Sequence, residues 1–538
     1  MTGGTLTEFF SHLVFSFTQG VIEKYNPDEP EFTIEAFGYN TLGSTGREWY
    51  YYPIDELIYQ QYSDREDIIS AFSTSRHLKV EVIDAVTPEE NEIQKNKEEE
   101  KTAMAWKQLR PSGLCTVCKS MFIAGLITLL VASIVGAVYM LTIYVSFKTV
   151  HNRQFRPMNT WSLRMQWMRS VSDIIGCGFL YFFWSFFIFL ILFRPYQLIG
   201  VKRKLCFACV FTYALDTSYR VALQALGISH SNISRLQKIP LNGIFLSNQL
   251  LQIYLLANHF CTRSLRQKLI FVIRMVTPGC LCFLMFFMVA SLIYPVYNKQ
   301  DAGGKLLIAV FAPLSGLLLK VTSRICAQRF YDIIYPGFSF VLLSPLYFVS
   351  ALIFRILQAD LGNLRSIVII GIIHGAAEVI ERSTMVVIDH LCHALCKRKL
   401  LSWGRFRTPS RERLMADIAI MGMLSESTAI VAVNGFLILY DLVFTQNEAL
   451  LELFRCFGIR TSISLLIEWF FTGLSLAIVT RYQNMAVMSV WQMRWKRHVL
   501  VAVVNVVPMA LWTGTNLLNI VHERFHDTSV VGCEWRSI

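Results

Sequence analysis

Ionisable residues interrupt one apolar stretch of the chain, between Ile367 and His390. They are His374, Glu378, Glu381, Arg382 and Asp389. Steps of three and four residues place these side chains on one face of a helix, and Glu378 and Arg382 are spaced to pair. Imidazole titrates near neutral pH, and a desolvated carboxyl group can do so as well. The stretch therefore favours a proton or cation site. In the structural alternative, Glu378 and Arg382 form an internal ion pair and His374 is a packed, hydrogen-bonded residue.

Charged residues also lie within or beside other apolar stretches. A charge at the centre of a bilayer costs roughly 3 kcal/mol by insertion measures, so such residues face a bundle interior, a watery cavity or an opposite charge. A bundle that served only for anchorage would have little use for them. The candidate residues of a transport or ion pathway are therefore His374, Glu378, Glu381, Arg382, Asp417, Glu426, Glu468, Asp216 and Arg220.

Cysteine and histidine residues recur near the ends of apolar runs. The weak candidates for metal ligands are Cys115, Cys118, His390, Cys392, His393 and Cys396. Joining two such clusters would give the four-ligand set that is typical of zinc. S-acylation or plain packing is the commoner use of cysteine at a membrane boundary, so no cofactor is expected.

The sequence lacks the Walker A motif, the dinucleotide glycine fingerprint and the Gly-x-Ser-x-Gly motif of soluble enzymes. His374-Gly375 inside an apolar helix resembles the histidine of the membrane-bound O-acyltransferases, and Trp491–His498 resembles their Trp/Arg-rich segment. The two features occur here in the opposite order, and the likeness covers about ten residues. The resemblance implies a membrane-embedded lipid or acyl transferase with His374 as general base.

Membrane helices must position these residues, because 54% of the 538 residues are hydrophobic and only 16% are charged. A soluble chain has roughly a quarter of its residues charged. Apolar runs long enough to cross a bilayer lie near residues 119–147, 171–194, 204–227, 238–258, 268–295, 305–325, 332–355, 364–391, 413–442, 459–480 and 497–521. We predict an all-α polytopic membrane bundle of about 10–11 transmembrane helices over residues 118–522.

Charge divides the chain into two parts. Residues 1–110 hold 10 Lys and Arg against 20 Asp and Glu, and the remainder holds 40 against 18. Short β-rich segments and glycine turns predict a small acidic cytoplasmic α+β domain over residues 1–88, followed by a charged linker over 89–117. Residues 523–538 form a short C-terminal tail. The basic loops suit anionic lipid headgroups or the acidic domain as partners, and nucleic acid is not expected.

The orientation follows from the loop Lys397–Arg413, which holds seven Lys and Arg and one acid and is therefore predicted to be cytoplasmic. Because successive spans cross the membrane in opposite directions, eleven spans then put the N-terminus in the cytoplasm and the C-terminus outside or in a lumen. The basic first outside loop, residues 148–170, is an exception. Asn232 begins a glycosylation sequon in a predicted outside loop. Several apolar runs of 24 residues or more favour the plasma membrane over internal membranes.

These patterns favour a multi-pass channel or transporter for an ion or small solute, with proton linkage as an option. Helix-breaking prolines support it, and so does a 58-residue spacing between Pro278-Gly279 and Pro336-Gly337 that is compatible with an internal repeat. The alternatives are the transferase that uses His374 and a multi-pass receptor or scaffold regulated by its cytoplasmic N-terminal domain. The leading hypothesis needs no enzymatic activity, and an oligomer is compatible with it.

Overall fold

A computed structural model of the protein describes residues 113–150, 162–193, 195–227, 234–261, 264–300, 302–328, 334, 336–359, 364–397, 409–440, 442, 450–483, 485 and 487–525. The predicted α+β domain at residues 1–88 lies outside these residues, as do most of the linker, Asn232 and the last residues of the tail. Almost all described residues are helical, and none of them forms a strand.

The described residues form helices that we number α1 to α11 in chain order. They are α1 (Gly113–Gly125, the π-helical segment Leu126–Val131, and Ala132–Val150), α2 (Leu163–Phe179, the π-helical segment Leu180–Phe187, and Ile188–Leu192), α3 (Lys202–Ala225), α4 (Ser234–Phe260), α5 (Leu265–Met288, the π-helical segment Val289–Ile293, and Tyr294–Asn298), α6 (Ala302–Gln328), α7 (Ser344–Ala359), α8 (Leu364–Lys397), α9 (Pro409–Tyr440), α10 (Leu450–Gln483) and α11 (Val487–Phe525). Short 3₁₀ segments, Pro195–Leu198 and Pro336–Leu342, precede α3 and α7.

In each of the eleven apolar runs the described residues are mainly helical, because a helix satisfies its own backbone hydrogen bonds in an apolar setting. Among the described residues, five helices are long and apolar enough to cross a membrane. They are Gly113–Tyr144, Gln166–Leu192, Leu265–Met288, Arg413–Tyr440 and Leu451–Arg481. The structure therefore supports a helical membrane protein with five candidate spans, fewer than the 10–11 predicted from the sequence.

The centre of the bundle is α9, which packs against α1, α7, α10 and α11. In the most apolar 18-residue stretch of α9, 94% of the residues are buried. In the corresponding stretch of α5 the buried share is 28%. A helix that is apolar on all sides belongs in the interior of a bundle, which accounts for this position. Helix α8 lies beside this core and packs mainly against α10, α6 and α7.

The contact between α8 and α10 depends on a glycine. A Cβ atom at Gly375 would overlap the ring of Phe471 on α10. Small residues allow membrane helices to approach closely, and the gain in packing holds the polar face of α8 near its neighbours. Gly375 therefore has a structural role next to the polar stripe.

The two Pro-Gly pairs that are spaced 58 residues apart have different local structure. Pro278 lies inside the helix Leu265–Met288, whereas Pro336 opens the 3₁₀ segment before α7. A proline inside a helix removes one backbone hydrogen bond, while a proline at the start of a helical segment removes none. The internal repeat stays a prediction.

Candidate functional site

Side chains from four helices meet in a buried group that we call the charge cluster. Its members are Arg355 on α7, His374, Glu378 and Arg382 on α8, Glu426 on α9, and Glu468 on α10. Glu426 and Glu468 lie near the middle of two candidate membrane spans, Arg413–Tyr440 and Leu451–Arg481. In a membrane crossed by these two candidate spans, the charge cluster would lie at the depth at which an ionised group is most costly.

Arg355 joins two of the acids. Its Nη2 atom lies 2.6 Å from Oε2 of Glu468, and its Nε atom lies 3.5 Å from Oε2 of Glu426. Nη1 donates a hydrogen bond of 2.9 Å to the side-chain oxygen of Gln358. The guanidinium group is planar and carries several donors, so it can hold two carboxylates from α9 and α10 at once.

Arg382 joins the acids of α8 and α10. Its Nη2 atom lies 3.0 Å from Oε2 of Glu378, as the sequence spacing predicted, and 4.0 Å from Oε1 of Glu468. Nη1 donates to the hydroxyl of Thr472, which in turn donates to Oε1 of Glu468. The two arginines therefore share Glu468 between them.

His374 lies between the two remaining carboxylates. Its Nε2 atom is 3.4 Å from Oε2 of Glu426 and 3.9 Å from Oε1 of Glu378. The histidine side chain is 10% exposed. Within the described part of the chain, these three residues form the one group of His, Cys, Asp and Glu side chains close enough to hold a metal ion, with ligand atoms within 4.8 Å of one another.

The charges of the cluster do not balance while His374 is neutral. Three glutamates face two arginines, which leaves one negative charge. An unpaired buried charge is strongly unfavourable, and one further proton would balance the cluster. Either the imidazole of His374 or one of the carboxyl groups that face it can take this proton.

The same count decides between a proton and a metal ion. A divalent ion next to neutral His374 would leave the cluster with one excess positive charge, and Arg355 and Arg382 already contact the two carboxylate ligands. Alkali cations prefer oxygen ligands, which an imidazole does not provide. The donor set therefore fits one proton better than either kind of metal ion.

A second group of charges adjoins the cluster and is balanced. Lys320 on α6 lies 3.2 Å from Glu381, and Arg324 lies 2.9 Å from Asp389, with both side chains of the latter pair fully buried. The hydroxyl of Tyr347 accepts a hydrogen bond from Arg324. A cavity of about 20 Å³ lies between this group and Glu378 and Glu426. It is large enough for one water molecule, which could connect the two groups by hydrogen bonds.

Three other predicted pathway residues have different partners in the structure. Asp417 contacts Arg413 at 3.1 Å and Nε2 of His498 at 2.9 Å. Asp216 and Arg220 pair with each other on α3 at 2.7 Å. The ionisable residues that we predicted for a single pathway therefore occupy three separate places in the bundle.

The candidate metal ligands do not form a metal group among the described side chains. Cys115 and Cys118 are exposed on α1, and His390, Cys392 and His393 lie near the end of α8. The side chain of Cys396 is outside the described part. Cys456, which the sequence analysis did not single out, is disulfide-bonded.

Five ionisable residues that contact the predicted acids were missing from the sequence-based list. They are Lys320, Arg324, Arg355, Arg413 and His498. Lys320 and Arg324 stand four residues apart inside an apolar run, which is the same signal that drew attention to α8. Arg355 gives a weaker signal because it stands near the end of its run and has no charged neighbour in sequence.

The fold and the buried ionic groups define the class of this chain: a polytopic helical membrane protein with ionisable residues at membrane depth. No protein-family model, curated protein or solved structure matches the sequence or its fold. Its function therefore has to be argued from the site itself.

Proposed function

We propose that the protein is a multi-pass membrane transporter that couples movement of a small solute or ion to a proton bound at the charge cluster. The observation that carries the proposal is the charge count: three glutamates and two arginines surround His374 and lack one positive charge. Intramembrane acids and histidines that alternate between protonation states are the usual proton carriers of pumps and transporters.

The packing around the cluster favours a transporter over an open channel. Ion pairs from Arg355 and Arg382 join α7, α8 and α10 at the level of His374, and the adjacent cavity has a volume of only about 20 Å³. A continuous water-filled pore at this point would need these pairs to separate. A binding site near the midplane that opens alternately to either side fits the observed geometry.

We favour the transporter over the transferase alternative because Nε2 of His374 faces Glu426 and Glu378. Only Nδ1 of the ring is then left to act as a general base. The receptor or scaffold alternative rests on residues 1–110, which the structure does not describe.

The proposed topology keeps eleven spans, a cytoplasmic N-terminus and an outside C-terminus in the plasma membrane. The disulfide of Cys456 near the start of α10 supports this orientation. Disulfides persist on the oxidising side of a membrane, and in the proposed topology the span α9 separates the start of α10 from the cytoplasmic basic loop.

Charge displacement after a pH step tests the proposal. Proteoliposomes of the full chain are adsorbed on a solid-supported membrane, and the external buffer is stepped from neutral to acidic pH. We expect a transient inward current for the wild-type protein that is abolished in His374→Gln and Glu426→Gln. Both variants remove the proton site but leave the arginine pairs with Glu468 and Glu378.

The matched control is Glu452→Gln, which removes a carboxylate from the exposed start of α10, where it pairs with Arg455. This variant should keep the full current. The proposal is refuted if the wild-type protein gives no current, or if correctly folded His374→Gln and Glu426→Gln retain it.

A further inference from the structure

A groove on the outer surface of the bundle lies between α3 and α4, away from the charge cluster. Its volume is about 380 Å³, and the described residues that line it include Arg203, Lys204, Phe207, Phe211, Leu251 and Leu255. The lining contains two cations and no acid. The groove surface is therefore almost wholly apolar, with the stems of the two cationic side chains, Arg203 and Lys204, at one end.

The apolar walls face away from the protein. Phe207 is 72% exposed and Phe211 is 53% exposed, and their rings stack with centroids 6.1 Å apart at an angle of 15°. Leu251 and Leu255 stand one turn apart on α4 and form the opposite wall. Such a surface is unfavourable in water but matches the hydrocarbon of a membrane.

The basic end lies at the first turn of α3, where Arg203 and Lys204 are exposed. At a rise of about 1.5 Å per residue, Phe211 lies about 12 Å further along the helix axis than Arg203. Half of a hydrocarbon core is about 15 Å thick. The groove therefore has its cations and its apolar walls at the spacing of a lipid headgroup and the upper part of its chains.

We propose that this groove binds one anionic glycerophospholipid. Arg203 and Lys204 pair with the headgroup phosphate, and an acyl chain lies between the stacked rings of α3 and the leucines of α4. Two cations without an acid favour an anionic lipid over a zwitterionic one. Free phosphate would meet the cations but leave the apolar walls uncovered.

Native mass spectrometry of the full chain in non-ionic detergent measures this binding directly. The protein is titrated with palmitoyl-oleoyl phosphatidylglycerol and, separately, with phosphatidylcholine of the same chains. We expect selective binding of phosphatidylglycerol. Arg203→Gln/Lys204→Gln should weaken it about 30-fold, because each cation at a lipid surface contributes a factor of about five. Leu251→Trp, which fills the groove, should weaken binding while both cations remain.

The matched control is Arg266→Gln/Lys268→Gln, which removes two cations from the first turn of α5, outside the groove lining. It should bind phosphatidylglycerol as the wild-type protein does, and inorganic phosphate should not displace the lipid. Equal loss in both double variants would show general charge attraction and overturn the proposal. Displacement by phosphate, or equal binding of the two lipids, would overturn it as well. None of these outcomes depends on transport.

Discussion

Removal of one cation from the charge cluster should destabilise the protein far more than removal of one acid. With His374 neutral the cluster carries one excess negative charge, and Arg355→Gln raises this excess to two negative charges. Protonation of His374 then no longer restores balance. Glu426→Gln has the opposite effect, because the remaining two acids and two arginines are balanced while His374 is neutral.

The contacts of Arg355 set the magnitude. At an effective dielectric constant of about 20, the attraction to Glu468 at 2.6 Å is about 6 kcal/mol, and that to Glu426 at 3.5 Å is about 5 kcal/mol. Desolvation of the three groups offsets much of this attraction, and loss of one partner of a buried pair typically costs about 3–5 kcal/mol. We expect that loss for Arg355→Gln. For Glu426→Gln we expect a smaller loss of about 1.5–3 kcal/mol, the cost of one hydrogen bond to a charged group.

The assay is unfolding of the purified full chain in mixed micelles with a rising mole fraction of dodecyl sulfate, followed by tryptophan fluorescence. The double variant Arg355→Gln/Glu468→Gln returns the cluster to one excess negative charge. It should therefore recover part of the stability lost in Arg355→Gln, and a double-mutant cycle quantifies the recovery. Equal destabilisation by Arg355→Gln and Glu426→Gln would refute the charge count as the governing feature of the site.

Two further variants test the bundle around the cluster by the same unfolding measurement. Asp389→Asn leaves the fully buried Arg324 without its carboxylate and should cost about 3–5 kcal/mol; a loss below about 1 kcal/mol would show that the pair is not maintained in the membrane. Gly375→Ala places a methyl group against the ring of Phe471 and should cost about 1–3 kcal/mol. Gly279→Ala, which meets open space, should cost nothing, and comparable losses at the two glycines would contradict the close approach.

The sequence predicted more of the helices than of the site. The described residues of each apolar run are mainly helical, because a helix is the structure by which a single apolar segment satisfies its own backbone hydrogen bonds in hydrocarbon. The stripe from His374 to Asp389 was also readable, since a period of three to four residues places side chains on one helix face. The structure pairs Asp417 with Arg413 and His498, and Asp216 with Arg220, so their part in a common pathway stays a prediction.

The amino-acid sequence by itself determined that this chain forms membrane helices and that α8 carries an ionisable face. Only the tertiary structure decided which groups that face meets. Helical periodicity gives the direction of a side chain but not the helix that packs against it, so Arg355 and Glu468, which are 113 residues apart, could not be paired from the sequence. The charge deficit that His374 can fill became visible only when the acids and cations within contact distance could be counted.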